Sequence, residues 1–170
     1  MQIEDQVFPK KCGHFSGKAV IPVEEALSKI KAAVDAREDE NTMIIARTDA
    51  RAIDGIEAAL DRAEAFIEAG ADMTFVEAPR SEAEMEMITK RLSVPQVANM
   101  VVGGKTPLTP QARLVELGFS LILYANTPLQ AAMRAMTDVL SALKLDGDVS
   151  SVIDRLADFD ERQRLVDKVS

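Results

Sequence analysis

Residues 4–14 contain the only cysteine and the only histidine of the 170-residue chain, beside two lysines and two carboxylates. Cys12 and His14 are two residues apart, and Lys10 and Lys11 directly precede the thiol. The positive charges around Cys12 favour its thiolate form, which suits proton transfer or nucleophilic attack. This segment therefore predicts a reactive thiol. The alternative is a surface loop whose thiol and charges have no function.

Composition excludes several classes of protein. A net charge of −8 and a pI near 4.8 argue against a nucleic-acid partner, because phosphate neutralisation requires a basic face. No apolar run is long enough to span a bilayer, and the N-terminus lacks the pattern of a secretory signal. One cysteine cannot form an internal disulfide, so we expect a cytoplasmic protein.

Apolar residues recur at helical spacing in several parts of the chain. After Pro22 they predict a helix over 22–37. Four further helices are predicted from the same period and from start and stop signals, at 56–70, 81–92, 109–118 and 127–143. The last of these carries a stripe of large apolar residues, Leu129, Met133, Met136, Leu140 and Leu143.

Short continuous apolar runs lie between the predicted helices. They are typical of parallel strands that are buried on both faces, and they lie at 2–3, 43–46, 73–76, 95–98 and 121–124. Several runs are followed at once by a polar residue, such as Arg47, Glu77 or Asn99. The alternation predicts a βα repeat with polar side chains at the C-terminal ends of its strands, where barrel enzymes place their active sites.

The motif Lys-Lys-Cys-Gly-His at 10–14, preceded by Ile-Glu-Asp-Gln and a proline, resembles the signature loop of the isocitrate lyase and phosphoenolpyruvate mutase superfamily. In that superfamily this loop closes over the active site. The resemblance covers nearly the whole chain to about residue 165 and continues through 45–50, 75–79 and 99–100. Segments 77–80 and 103–107 are most similar to the branch that contains 2,3-dimethylmalate lyase and the petal death protein.

The resemblance implies a (β/α)8 TIM barrel, but only five strands fit the chain, whereas a barrel needs eight. We therefore expect a partial barrel of about five βα units over 1–147 and a helical extension over 148–170, with the chain starting at strand four. Strands one to three of the complete barrel would have been lost by truncation, be encoded upstream of an internal Met, or come from another chain. The resemblance also implies a homo-oligomer, since in relatives the helices after the last strand pack on a neighbouring subunit.

The resemblance further implies a site that binds Mg²⁺ and a small dicarboxylate or tricarboxylate. Glu4 would hold the ion through water, which suits the octahedral, water-rich shell of Mg²⁺. The main metal ligands would be aspartates on the strands that the chain lacks. The loop would supply Lys10, Cys12 and His14 as catalytic residues and Gly13 as a substrate contact.

Three strand-end residues would complete this site. Arg47 would grip a substrate carboxylate with two hydrogen bonds, or alternatively form a salt bridge with Asp49 or Glu77. Glu77 would orient Arg47 or the substrate, or serve as a structural ion-pair partner. Asn99 would contact a carboxylate or carbonyl, or bond local backbone.

These implications predict a Mg²⁺-dependent carbon–carbon lyase that cleaves a 2-hydroxy dicarboxylate, such as 2,3-dimethylmalate or methylisocitrate, to a 2-oxo acid and a carboxylate. Cys12 would move the proton at the carbon released by cleavage. The first alternative is an oxaloacetate hydrolase or decarboxylase, or a carboxyphosphonoenolpyruvate phosphonomutase, on the same scaffold. The second is an inactive partial barrel.

Overall fold

Short parallel strands alternate with helices along the chain. The computed structural model describes residues 1–13 and 16–166. Its elements, in order, are β1 (Gln2–Glu4), α1 (Val23–Asp35), β2 (Ile45–Thr48), α2 (Arg51–Asp54), α3 (Ile56–Glu68), β3 (Met73–Val76), α4 (Glu82–Arg91), β4 (Val97–Asn99), α5 (Gln111–Glu116), β5 (Leu121–Leu123), α6 (Thr127–Asp146), a 3₁₀ helix (Ser150–Arg155) and α7 (Phe159–Val166).

The strands pair in chain order, and all pairs are parallel. β1, β2 and β3 form one sheet, and β4 and β5 form a second. A parallel bridge between Thr74 and Gln96 connects β3 to β4. The Thr74 hydroxyl also donates to Gln96 Oε1 at 2.8 Å. The βα repeat that the sequence predicts is thus confirmed, as is a parallel architecture that corresponds to part of a TIM barrel.

Contacts divide the chain into two compact units, Met1–Ala125 and Asn126–Ser170. The first unit contains all five described strands, and its largest core cluster lies between the strands and the helices α3, α4 and α5. The domain boundary predicted at 147 remains a prediction. Among the described residues, no helix combines the length and the apolarity needed to cross a membrane.

The apolar stripe of α6, in the second unit, is exposed. Its five large residues lie on one face of the helix because they are spaced by four and three positions. They are Leu129, Met133, Met136, Leu140 and Leu143, and each is between 46% and 65% exposed. A stripe of this kind normally faces a core, so this face of α6 presents apolar surface that a partner could cover.

The predicted bounds of the helices agree with the structure more closely than the predicted bounds of the strands. The helix predicted over 22–37 is α1 (Val23–Asp35), and the Ser81 side chain accepts a hydrogen bond from the Glu84 N–H at the start of α4. The strand predicted at 43–46 lies at Ile45–Thr48, two residues later, where it pairs with β1 and β3. Before it, the Ile44 N–H donates to the Asp72 carboxylate. Helix α2 was not predicted from the sequence, since its four residues are too few to show a period.

Candidate active site

Polar side chains from four neighbouring strands meet at one edge of the structure. Glu4 is the last residue of β1 and pairs in register with Arg47 of β2. Glu77 directly follows β3, and Asn99 is the last residue of β4. Because all these strands are parallel, their C-terminal ends share one edge, and the residues named from the sequence at these ends are brought together there.

Arg47 lies at the centre of this group and interacts with three carboxylates. Its Nε is 3.0 Å from Asp49 Oδ2 and 3.4 Å from Glu4 Oε2, and its Nη1 is 3.3 Å from Glu77 Oε2. The guanidinium carbon lies 4.9 Å from the centre of the Phe75 ring, which supports the planar group from one face. Burial lowers the pKa of Arg47, but the surrounding carboxylates raise it by a larger amount. The net pKa of Arg47 therefore lies above its usual value. Arg47 therefore carries a permanent charge, and the salt bridges considered as alternatives are both present.

Asp49 is fully buried and interacts with two cations. Its Oδ1 lies 2.7 Å from Lys18 Nζ, and its Oδ2 accepts from Arg47. Burial raises the pKa of Asp49, but the hydrogen bonds and charges of Arg47 and Lys18 lower it more, so the carboxyl remains ionised well below neutral pH. Lys18 was not identified from the sequence. Its only sequence signal is that it follows the motif loop.

Asp5 connects the first two strands beneath this group. Its Oδ1 accepts from the Asp49 N–H at 3.0 Å, and its Oδ2 accepts from the Thr48 hydroxyl at 2.7 Å and from Arg62 Nε at 2.6 Å. A buried carboxylate with this many donors is fully satisfied. Asp5 thus fixes the backbone that presents Asp49, and Arg62, distant in sequence, completes the support.

The motif loop is closed at its base and folds over Arg47. Gln6 bonds the backbone N–H and C=O of Lys11, and an antiparallel bridge joins Gln6 to Val20. Gly13 lies so close to the strand ends that a Cβ atom there would be 2.5 Å from Glu77 Cγ and 2.7 Å from Arg47 Nη2. Lys18 Nζ donates to the Gly13 carbonyl. Glycine is therefore required here by close approach.

Cys12 is a free, exposed cysteine next to Gly13. The two lysines before it have other partners: Lys10 Nζ is 2.7 Å from Glu4 Oε1, and Lys11 Nζ donates to the Gly17 carbonyl at 2.8 Å. The structure thus brings Lys10 to the strand-end group through Glu4. His14 lies outside the described residues. The catalytic roles predicted for Lys10, Cys12 and His14 remain predictions.

Within residues 1–13 and 16–166, two buried oxygen atoms of this group accept no hydrogen bond. They are Glu4 Oε2, which lies within ion-pair distance of Arg47, and Asn99 Oδ1. The Asn99 amide nitrogen lies 3.4 Å from both carboxylate oxygens of Glu77, so Asn99 points toward the group. Buried acceptors are normally satisfied, and these two fit a donor from a bound water or ligand.

The described residues fit an indirect contact to Mg²⁺ but not its full coordination. Within 1–13 and 16–166, no three His, Cys, Asp or Glu side chains are grouped so that they could hold a metal ion. Mg²⁺ is commonly bound by one or two carboxylates and keeps several waters. Glu4 Oε2, which accepts no hydrogen bond from the described residues, suits a water of such a shell. Glu4 therefore fits a water-mediated role, while this part of the chain offers no cluster of direct ligands.

The amino-acid sequence of this chain is similar to those of several known proteins. The family model for phosphoenolpyruvate phosphomutase matches residues 1–144. A 2,3-dimethylmalate lyase from Eubacterium barkeri is 46% identical over 161 residues, which are 95% of this chain and 56% of that protein. The chain spans about half the length of the curated relatives that it matches.

Solved structures of several enzymes have a fold similar to that of this chain. An oxaloacetate acetylhydrolase in complex with the inhibitor 3,3-difluorooxalacetate superposes with a TM-score of 0.88 at 30% identity, covering 98% of this chain and 57% of the other. A phosphonopyruvate hydrolase in complex with oxalate and Mg²⁺ gives a TM-score of 0.78 at 27% identity and covers 98% and 58%. The chain therefore matches a little more than half of each of these larger structures.

Proposed function

The chain belongs to the phosphoenolpyruvate mutase/isocitrate lyase superfamily, and we propose that it supplies the loop and the substrate-binding strand ends of a carbon–carbon lyase. The proposed substrate is a 2-hydroxy dicarboxylate, such as 2,3-dimethylmalate or methylisocitrate. The products are a 2-oxo acid and a carboxylate. We further propose a cytoplasmic location and assembly into a homo-oligomer, for which the exposed apolar stripe of α6 provides a contact surface.

The observation that carries the proposal is the position of Gly13 against Arg47 and Glu77. It supports a motif loop that lies over the strand ends, and Cys12 is the residue before Gly13 in this loop. An acid or base must lie within hydrogen-bond reach of the atom that it serves. In the proposed mechanism, the same loop would bring the Cys12 thiol within this reach of the bound substrate.

Arg47 and Asn99 would bind the substrate carboxylates, and Glu77 would hold both of them in position. Arg47 is suited to this task because its planar group presents two parallel donors to a carboxylate. Substrate would replace part of its present ion-pair contacts. Gly13 would let the loop backbone lie directly on the bound acid, since no side chain separates the two.

Cleavage requires loss of the C2 hydroxyl proton and breakage of the C2–C3 bond, which leaves the electron pair on C3 beside a carboxylate. Cys12 would give its proton to this carbon, or remove it in the reverse direction, as general acid or base. Mg²⁺, when bound, would lower the pKa of the substrate hydroxyl. Glu4 would hold a water of its shell, and Lys10 would balance the charge of Glu4.

We expect Cys12→Ser to lower turnover by about 10²-fold or more, because a hydroxyl is a far weaker acid than a thiol. The sample is the completed barrel, meaning this chain produced together with the N-terminal part of the Eubacterium barkeri relative, which would supply the remaining strands. Cleavage of 2,3-dimethylmalate is measured as formation of the 2-oxo acid. The exposed thiol packs against little, so the unfolding midpoint should not change.

The matched control for this substitution is Val7→Thr, a change of similar volume at another exposed position before the motif. It should leave turnover unchanged. Turnover of Cys12→Ser equal to that of Val7→Thr would remove Cys12 from the mechanism.

We also expect EDTA to abolish cleavage by the completed barrel, and added Mg²⁺ to restore it, because the substrate hydroxyl is too weak an acid to ionise unaided at neutral pH. The measurement is turnover before chelation, after chelation and after addition of the metal. Replacement of Glu4 by Gln should raise the Mg²⁺ concentration needed for recovery. Cleavage that continues unchanged in excess chelator would contradict the metal requirement.

The oxaloacetate hydrolase alternative is favoured by the close superposition on the oxaloacetate acetylhydrolase structure. The two activities are separated by comparing oxaloacetate with 2,3-dimethylmalate in the completed barrel. Faster consumption of oxaloacetate, with oxalate as product, would replace the lyase proposal by the hydrolase.

A further inference from the structure

The motif loop returns to the fold at Lys18, whose side chain is buried. This side chain is 2% exposed, and its Nζ donates to the Gly13 carbonyl and to Asp49 Oδ1, the second at 2.7 Å. An ammonium group is costly to bury unless its donors have partners, and a carbonyl and a carboxylate are suitable partners. Lys18 therefore connects two places, the loop at Gly13 and the end of β2 at Asp49.

The base of the loop is held separately, by backbone hydrogen bonds. The Val7 N–H donates to the Ala19 carbonyl at 2.9 Å, so the two arms of the loop are paired where it leaves the sheet. These bonds do not reach the tip. Among the described residues, the Gly13 carbonyl accepts a hydrogen bond from Lys18 and from no other group. The base thus determines where the loop leaves the sheet, and Lys18 determines where residue 13 lies.

Packing alone does not explain the position of Gly13 against the strand ends. Gly13 has no side chain that could pack there, and the Cys12 side chain before it is exposed. The close approach to Glu77 and Arg47 therefore depends on polar contacts of the loop backbone, of which the bond from Lys18 is the charged one. Hydrogen bonds that involve a charged group are the stronger ones.

Asp49 connects this anchor to the substrate-binding cation. Its Oδ2 lies 3.0 Å from Arg47 Nε, while its Oδ1 bonds Lys18. The backbone of Asp49 is fixed as well, because its N–H donates to Asp5 Oδ1 at 3.0 Å. The Asp49 side chain is 0% exposed, so water does not compete for it. One fixed carboxylate thus positions both the loop anchor and the guanidinium.

We infer that Lys18 is a positioning residue of the proposed lyase: its ammonium fastens the loop at Gly13 to Asp49, the carboxylate that also orients the substrate-binding guanidinium. The inference rests on the proposed function, since it assumes that the substrate binds at Arg47 and that Cys12 acts from the loop. Lys18 touches neither the substrate nor the reacting atoms. It acts by keeping the loop and the strand ends in one fixed relation.

Lys18→Met removes the ammonium and keeps a side chain of similar length. In the completed barrel, trypsin should then cut after Lys11 about tenfold faster, because the lost charged hydrogen bonds held the loop closed. Mass spectrometry of the products gives this rate relative to cleavage after Lys90 on α4, which reports a general loss of stability. The matched control is Lys29→Met, at a side chain that is 49% exposed, and it should leave the ratio of the two rates unchanged.

Asp49→Asn tests whether the anchor depends on the carboxylate. Alone, it should raise the cleavage ratio about tenfold as well. Combined with Lys18→Met, it should give about the ratio of Lys18→Met alone, because the connection is already lost, whereas independent effects would multiply to about a hundredfold. The double variant leaves neither member of the pair as an unpaired charge, so it supplies the measurement if Lys18→Met does not fold. An Asp49→Asn ratio equal to that of the parent would overturn the inference.

Kinetics of the same preparations separate positioning from substrate binding. Lys18→Met should lower kcat for 2,3-dimethylmalate about 10²-fold, because a displaced loop carries its thiol away from the substrate. KM should change less than about threefold, since Arg47 keeps its contacts with Glu4 and Glu77. A raised KM with unchanged kcat would make Lys18 a binding residue and would overturn the inference.

The cleavage ratio does not require an active enzyme, so the two proposals can fail separately. An active parent whose loop is cut at the same relative rate with and without Lys18 overturns the positioning role alone. An inactive parent in which Lys18→Met raises the ratio as expected supports the anchor of the loop, while the lyase proposal fails.

Discussion

The 170-residue polypeptide, produced alone, is expected to show no measurable lyase activity, to bind Mg²⁺ and dicarboxylates only weakly, and to be self-associated or loosely packed. The described residues contain no cluster of direct metal ligands. β1 and β5 stand at the two ends of the strand order, so each has one side without a partner strand in the described structure. Unpaired strand sides in a parallel fold are prone to associate.

The exposed apolar surface supports the same expectation. Leu121 and Leu123 of β5 are each 43% exposed, and within the second unit the stripe of α6 is exposed as well. Burial of apolar surface contributes about 25 cal/mol per Å², whereas the net stability of a domain is only about 5–15 kcal/mol, so apolar faces left in water remove a large share of that stability. Covering this surface is therefore a condition for a well-packed state.

Light scattering, near-UV circular dichroism and a lyase assay on the polypeptide test this expectation, with the completed barrel as the matched control. The control should be active and have a sharp near-UV spectrum. A monodisperse, tightly packed monomer that cleaves 2,3-dimethylmalate without further strands would falsify the expectation and would show that the metal site has been misplaced.

Arg47→Met is expected to lower the free energy of unfolding of the completed barrel by about 3–5 kcal/mol, because it removes the cation that Asp49 and Glu77 share in a buried ion-pair network. The side chains of Asp49 and Glu77 are 0% and 1% exposed, so water cannot replace the guanidinium at either of them. The same change should lower kcat/KM by about 10³-fold, since the charge that binds the substrate carboxylate is removed.

Urea unfolding measures the stability change, and the control is Arg113→Met. Arg113 also pairs with two carboxylates, Glu82 and Glu116, but all three side chains are largely exposed. Exposed ion pairs contribute at most about 1 kcal/mol, so the control should remain near the parent midpoint. If the two variants lose equally little stability, the carboxylates around Arg47 are hydrated and the buried-network description fails.

Local sequence patterns predicted the alternation of elements because helical period, capping residues and short apolar runs are local properties. The start of α1 after Pro22 and the cap of α4 at Ser81 are examples. Strand β2 was displaced by two residues because its bounds depend on pairing with β1 and β3, and residues 1–4 and 73–76 are distant in sequence. Register is a tertiary property that apolar content alone does not determine.

The residues of the candidate site were also predicted only in part from the sequence. Arg47, Glu77 and Asn99 were identified because each lies at the end of an apolar run, and the structure brings them together. Lys18 and Arg62 were not, because their contacts with Asp49 and Asp5 join residues 31 and 57 positions apart. No spacing rule connects such residues until the strands are aligned.

The close approach of Gly13 to Arg47 and Glu77 has a consequence for how this gene can change. Every missense mutation of a glycine codon adds at least a Cβ atom, so position 13 has no conservative neighbour in the genetic code. Any missense change there would introduce a side chain against Glu77 and Arg47, whatever the new amino acid. Under the proposed function, divergence toward another substrate would therefore proceed through other positions, while residue 13 remained glycine.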